Sequence, residues 1–153
     1  MKAPLQANKS GNATARKAAQ ILVAKNIGYI IPTARQKKNL VVAFAKRDMI
    51  VYGKAFDVLH LKAPVNLDSL EEVESQLDDI LLCEIKSTNQ EFGNDFRGYF
   101  FALTGAEVLV SQSLKERFRF IFVNTITGAH LELPLNKVFA KARGIYPTWS
   151  ISF

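Results

Sequence analysis

Ile80-Leu-Leu-Cys-Glu-Ile-Lys-Ser-Thr88 decides how the rest of the chain is read, an apolar run broken by one carboxylate and one ammonium two positions apart. Side chains on a strand alternate with period two, so Leu82, Glu84 and Lys86 share one face while Leu81, Cys83 and Ile85 share the other. Two ionisable heads therefore project the same way from a segment that otherwise reads as buried. Unpaired charge is costly to bury. Glu84 and Lys86 either pair with each other and with nearby groups, or they serve a metal ion and a phosphate.

Upstream, Lys54-Ala-Phe-Asp-Val-Leu-His-Leu61 reads as a neighbouring strand that carries Asp57. An acidic helical stretch follows it, then the E-x-K strand, then polar Ser87, Thr88 and Asn89. Asp79 is a poorer partner than Asp57: it lies five residues before Glu84, an odd offset that puts the two on opposite faces. The resulting D…E-x-K pattern, Asp57, Glu84 and Lys86, resembles the PD-(D/E)XK nuclease superfamily. The later order of E-x-K strand, strand, T-x-x-E helix and aromatic strand is similar to E-x-K domains attached to restriction and helicase proteins, over about Asp57–Thr125.

That resemblance implies a restriction-endonuclease-like fold and a Mg²⁺-dependent endonuclease, with Mn²⁺ able to substitute, acting on duplex DNA as a restriction or homing enzyme does. A structure-selective junction resolvase or repair nuclease, and a non-catalytic nucleic-acid-binding module that keeps the fold, are the alternatives. It also implies that Asp57, Glu84 and the backbone carbonyl of Ile85 hold the metal. Lys86 would then stabilise charge on the phosphoryl group or position the attacking water. Many superfamily members add an acidic ligand on the first helix, whereas no Asp or Glu precedes Asp48 here, which leaves Gln20 as the accessory candidate. A single active site acting on two strands implies a homodimer or larger homo-oligomer.

At 153 residues and 48% hydrophobic content, a single domain over 1–153 with one real core is expected. The net charge of +6 hides segregation: residues 1–54 carry 11 bases and one acid, 55–95 two bases and ten acids, 96–153 seven bases and three acids. A basic surface for a polyanion beside an acidic pocket for cations fits that division. Arg16, Lys17, Arg35, Lys37, Lys38, Lys46, Arg47 and Lys54 are the candidates to track a DNA backbone. No apolar stretch reaches membrane-spanning length, and Met1–Gly11 has no apolar core of a secretory signal. The lone Cys83 cannot form an internal disulfide, and a cytoplasmic location is expected. His60 and His130 are isolated in sequence and read as structural.

Element by element, Asn12 is expected to cap a helix over 13–26 with the stripe Ala15, Ala18, Ala19 and Leu22, and Tyr29–Ile31 to be a strand ended by Pro32. Arg35, Lys37 and Lys38 fall in a polar stretch that reads as a phosphate-gripping loop or an ordinary solvated connection, while Leu40–Ala45 is helix or strand. Strands are expected at Met49–Tyr52, Arg97–Leu103, Arg117–Val123 and Ala129–Leu133. Asp68 is expected to cap an acidic helix Ser69–Leu77 that faces solvent or a basic surface, and Thr104-Gly-Ala-Glu107 to open a helix to about Leu114 as a capping box. A basic helix Asn136–Arg143 and an alternating segment Trp149–Phe153, suited to an edge strand or a dimer contact, complete the chain. The architecture is α/β, a mixed central sheet with helix 13–26 on one side and helix 105–114 on the other.

Overall fold

The computed structural model describes residues 5–153, with side chains from Ala13 onward. Its elements are α1 (Leu5–Ala24), β1 (Tyr29–Ile30), α2 (Ala34–Ala45), β2 (Val58–Leu61), α3 (Leu70–Ser75), β3 (Ile80–Thr88), α4 (Gly105–Leu114), β4 (Phe118–Asn124), β5 (His130–Leu133) and α5 (Leu135–Lys141). The five strands form one mixed sheet in the order β1-β2-β3-β4-β5. All neighbours are antiparallel except β3 and β4, which run parallel with Glu84 opposite Phe120 and Lys86 opposite Phe122. A parallel pair needs a crossover. Residues 89–104 and α4 supply it.

Alternation on the two central strands sorts the core into two halves. Leu82 joins Phe118, Phe120 and Phe122 beneath α2, α3, α4 and α5. Leu81, Cys83 and Ile85 join Ile121 and Val123 beneath Ala18, Ala19 and Leu22 of α1. Two alanines at the contact let the α1 backbone come close to the sheet. The expected placement of α1 and α4 on opposite faces holds.

Several local expectations are corrected. Asn12 does not cap α1, which is already helical at Leu5. Arg35, Lys37 and Lys38 are not on a loop: Thr33 accepts from the Gln36 amide while Gln36 reaches back to Thr33, a capping box that starts α2 at Ala34 and extends it through Leu40–Ala45. Ser69, not Asp68, caps α3. Met49–Tyr52 is irregular because Asp48, at φ +58°, turns the chain out of α2 and only Val51 of the four is buried. Arg97–Leu103 keeps the alternation of a strand, with Tyr99, Phe101 and Leu103 packed inward, yet pairs with nothing in a ladder. Left-handed residues at Phe96 (φ +56°) and Gly98 (φ +86°) bend it out of register. Trp149–Phe153 is likewise no strand.

On the acidic helix Glu71 and Glu72 are exposed to solvent, in line with a solvated face, and among the described residues Glu74 alone of the three meets a base. Glu74 pairs with Lys46, and Arg47 reaches both the Glu74 carbonyl and Asp78. Part of the charge segregation seen along the sequence is thereby cancelled in space. No helix among the described residues is long and apolar enough to cross a membrane.

Candidate active site at the crossover of the parallel strands

Asp57 stands one residue before β2, next to the stretch of β3 that carries Glu84. Val58 lies opposite Cys83, and the Asp57 N–H donates to that same Cys83 carbonyl at 2.9 Å, one residue out of register, so the ladder breaks in a bulge at Asp57. The Asp57 carboxylate also accepts from the Ile85 N–H at 3.0 Å. Because Cys83 and Ile85 turn their backbone groups toward β2, the Ile85 carbonyl leaves β3 on the Asp57 side.

Lys86 sits between two carboxylates. Its Nζ donates to Glu107 Oε2 at 2.9 Å and lies 3.5 Å from Glu84 Oε1, with the three side chains only 8 to 13% exposed. Glu107 is fixed in turn by the box that starts α4: the Thr104 N–H donates to the same Oε2 at 3.0 Å, and the Glu107 N–H donates to Thr104 Oγ1 at 3.2 Å. One oxygen thus closes the helix cap and holds the lysine. Asp57, Glu84 and Glu107 outnumber the single ammonium. Burial, and after it the charge of Asp57, push Glu84 up to about 9 against the pull of Lys86, and a hydrogen bond with Glu107 adds to the rise. The protonated form of Glu84 is favoured accordingly.

The capping reading of Glu107 is right but incomplete. Glu107, Val110, Ser111 and Leu114 are the buried residues of α4, spaced i, i+3, i+4, i+7. A carboxylate on the buried stripe of a helix was the available signal for a second role.

Gln20 is not brought to this group; it is exposed on α1, over the opposite face of the sheet, beside Arg16 and Lys17 in a shallow groove of about 450 Å³. The basic candidates divide. Lys46 and Arg47 are held in ion pairs with Glu74 and Asp78. The Lys37 ammonium donates to the carbonyls of Gly53 (3.1 Å) and Phe56 (3.0 Å) and lies 4.9 Å from the centre of the Phe56 ring, so it anchors the segment leading into Asp57. Arg35, Lys38 and Lys54 remain exposed on the α2 side, Lys38 and Lys54 lining an open groove of about 620 Å³ with Val41 and Val42. Arg16 and Lys17 lie on the other face.

The two histidines are not isolated in space. His60 stacks on Tyr29 at 4.3 Å and places its ring nitrogens 2.8 Å from Glu132 and 3.1 Å from the Ile27 carbonyl. Tyr29 donates to Glu132, and Lys25 donates to the Gly128 carbonyl and to His130 Nδ1. Burial, then the Lys25 charge, lower His130, and burial with the Glu132 hydrogen bond raises Tyr29. This network joins the edge strands β1 and β5 over the α1 face and satisfies both rings, in keeping with a structural role.

Among the described residues, no three His, Cys, Asp or Glu side chains gather so as to hold a metal by themselves. Mg²⁺ does not require such a cage, since it binds through one or two carboxylates and keeps waters or substrate oxygens for the remaining positions. Asp57, Glu84 and the Ile85 carbonyl supply hard oxygen donors of that kind, and the crowding of negative charge around Glu84 is what a bound cation would relieve. Comparison with family models, with curated proteins and with solved structures finds no match to this chain.

Proposed function

We propose that the chain is a Mg²⁺-dependent DNA endonuclease of the PD-(D/E)XK type, with a restriction-endonuclease-like arrangement of its sheet. The observation that carries the reading is the meeting of the two acids beside the lysine: the Asp57 carboxylate accepts from the Ile85 N–H at 3.0 Å, its charge acts on Glu84, and Lys86 lies 3.5 Å from Glu84. Asp57, Glu84 and the Ile85 carbonyl would hold Mg²⁺ or Mn²⁺. The bound ion supplies Lewis-acid polarisation of a phosphoryl oxygen and a coordinated water. Lys86 contributes a fixed positive charge for the negative charge that builds on the phosphoryl group, and Glu107 is its positioning residue. Arg35, Lys38 and Lys54 grip phosphates on the α2 side. Such contacts fix position without reading bases, so the restriction, homing and junction-resolving variants share this chemistry. Action on both strands of a duplex calls for a homo-oligomer, and a cytoplasmic setting suits the reduced Cys83.

Supercoiled plasmid should be nicked or linearised with Mg²⁺ or Mn²⁺ and left intact with EDTA, while Lys86→Ala and Asp57→Ala abolish cutting and still retard DNA on a gel. A second reading, a binding module without catalysis, draws on the saturation of Lys86 by Glu84 and Glu107 and on the lack of an acid near Glu84 from α1. Salt-sensitive DNA binding with no cutting under either metal would select it.

A further inference from the structure

Phe100 is 78% exposed although both of its neighbours are packed inward. Tyr99 donates to the Ser87 carbonyl at 2.8 Å and packs on Phe101, whose ring lies 4.8 Å from that of Phe122, the β4 residue opposite Lys86. Alternation along a segment tethered to Ser87, the residue after Lys86, therefore holds the Phe100 ring outward. The C-terminal segment comes to meet it: Tyr146, 73% exposed, places its ring 6.5 Å from Phe100. That ring folds back over Gly144, where a Cβ would collide with it.

Residues 133–153 hold Lys137, Lys141 and Arg143 and no acid, and among the described residues none of the three forms an ion pair. Trp149 follows three residues after Tyr146 and is 89% exposed. Scattered apolar side chains on a surface need no explanation, but aromatic rings gathered beside unpaired cations do. Bases offer flat faces to aromatic rings and phosphates offer charge to lysine and arginine, the combination by which unpaired strands are held.

We infer that Phe100 and Tyr146, with the cations of the C-terminal segment, form a stacking platform for unpaired nucleotides, so that the substrate carries a single-stranded stretch next to the cutting site. The inference refines the nucleic-acid reading above and rests on it for the placement of the cut, while the platform itself is tested by binding alone. A lipid surface would also take cations beside aromatics. Rings fixed by Tyr99, Phe101 and Gly144 instead of by one apolar helix face favour bases.

Trp149 is the single tryptophan of the chain and lies three residues after Tyr146, so its fluorescence reports on the C-terminal segment. A twelve-nucleotide oligo(dT) added to the intact protein should quench it, and Phe100→Ala with Tyr146→Ala should weaken that binding at least tenfold, on the order of one stacked base. The salt dependence should be unchanged by the aromatic variants and reduced by Lys141→Gln with Arg143→Gln. Gly144→Ala, which swings the Tyr146 ring away, should weaken binding in the same direction with the thermal melt unaltered. Equal oligo(dT) affinity in the aromatic variants overturns the inference, as does quenching by anionic phosphatidylserine vesicles but not by oligo(dT). Oligo(dT) binding that depends on the rings, together with no cutting of any DNA, would retain the platform and reject the nuclease. Cutting of plain duplex by an enzyme indifferent to the rings would do the reverse.

Discussion

Glu107 accepts a hydrogen bond from the Lys86 ammonium at 2.9 Å across 21 positions of sequence, with the oxygen that also closes the first turn of α4. Helix start and site lysine are thus one assembly, and comparing two changes at Glu107 separates the two roles.

Glu107→Gln keeps a capping side chain, because Gln serves at this box position as Glu does, but it removes the charge that steadies Lys86. Folding stability should fall by about 1 kcal/mol or less, and cutting by tenfold or more at constant DNA affinity. Glu107→Ala loses the cap and leaves Lys86 with one partner, for a cost of about 2–4 kcal/mol in chemical denaturation. Equal activity in the Gln variant and the wild type would remove Glu107 from the site.

Glu84 ionises near 4.5 when unfolded and near 9 when folded. Between these values the unfolded chain has released the proton and the native state has not, so stability from this side chain is complete below the lower value. It then falls by about 1.4 kcal/mol per pH unit as pH rises toward the upper one. Glu84→Gln should flatten that part of the stability–pH curve measured by urea denaturation in EDTA. A wild-type curve of the same slope as the variant's would show that Glu84 is ionised in the native state.

Binding of Mg²⁺ through Glu84 requires its proton to leave. Affinity for Mg²⁺ should therefore rise about tenfold per pH unit from pH 6 to 8, with uptake of one ion releasing close to one proton in buffers of different ionisation enthalpy. Affinity independent of pH over that range would place the ion elsewhere.

Lys37 and its neighbours Lys38 and Lys54 should differ in how they fail. Lys38→Ala and Lys54→Ala should weaken DNA binding and each reduce the salt slope by about one. Lys37→Met removes two hydrogen bonds to the carbonyls ahead of Asp57 and should cost about 2–3 kcal/mol of stability with less change in that slope. A full unit lost from the slope with stability intact would mean that Lys37 contacts phosphate.

What could be read in the sequence was set by local rules. Period two on Ile80–Thr88 placed Glu84 and Lys86 together, and the T-x-x-E spacing placed the start of α4. Residues 34–38 are helix and not loop because Thr33-x-x-Gln36 carries the same capping signal in a weaker form, which the polar run of Arg35, Lys37 and Lys38 obscures in the sequence. Arg97–Leu103 has the alternation of a strand without a ladder, since alternation reports which side is buried and not what the backbone bonds to. The clasp of His60 and Glu132 and the pairing of Lys46 with Glu74 both join residues far apart in the chain. Spacing holds no record of such meetings.

The crossover between β3 and β4 also has a kinetic meaning. The antiparallel β2–β3 pairing, which brings Asp57 to Glu84, closes over a shorter span than the parallel β3–β4 pairing, in which Ile85 meets Ile121. Loops of greater length cost more entropy to close and the contacts they enable form more slowly. The two carboxylates should thus come together early in refolding, and the lysine should gain its second carboxylate only when α4 docks, making competence one of the last properties the chain acquires.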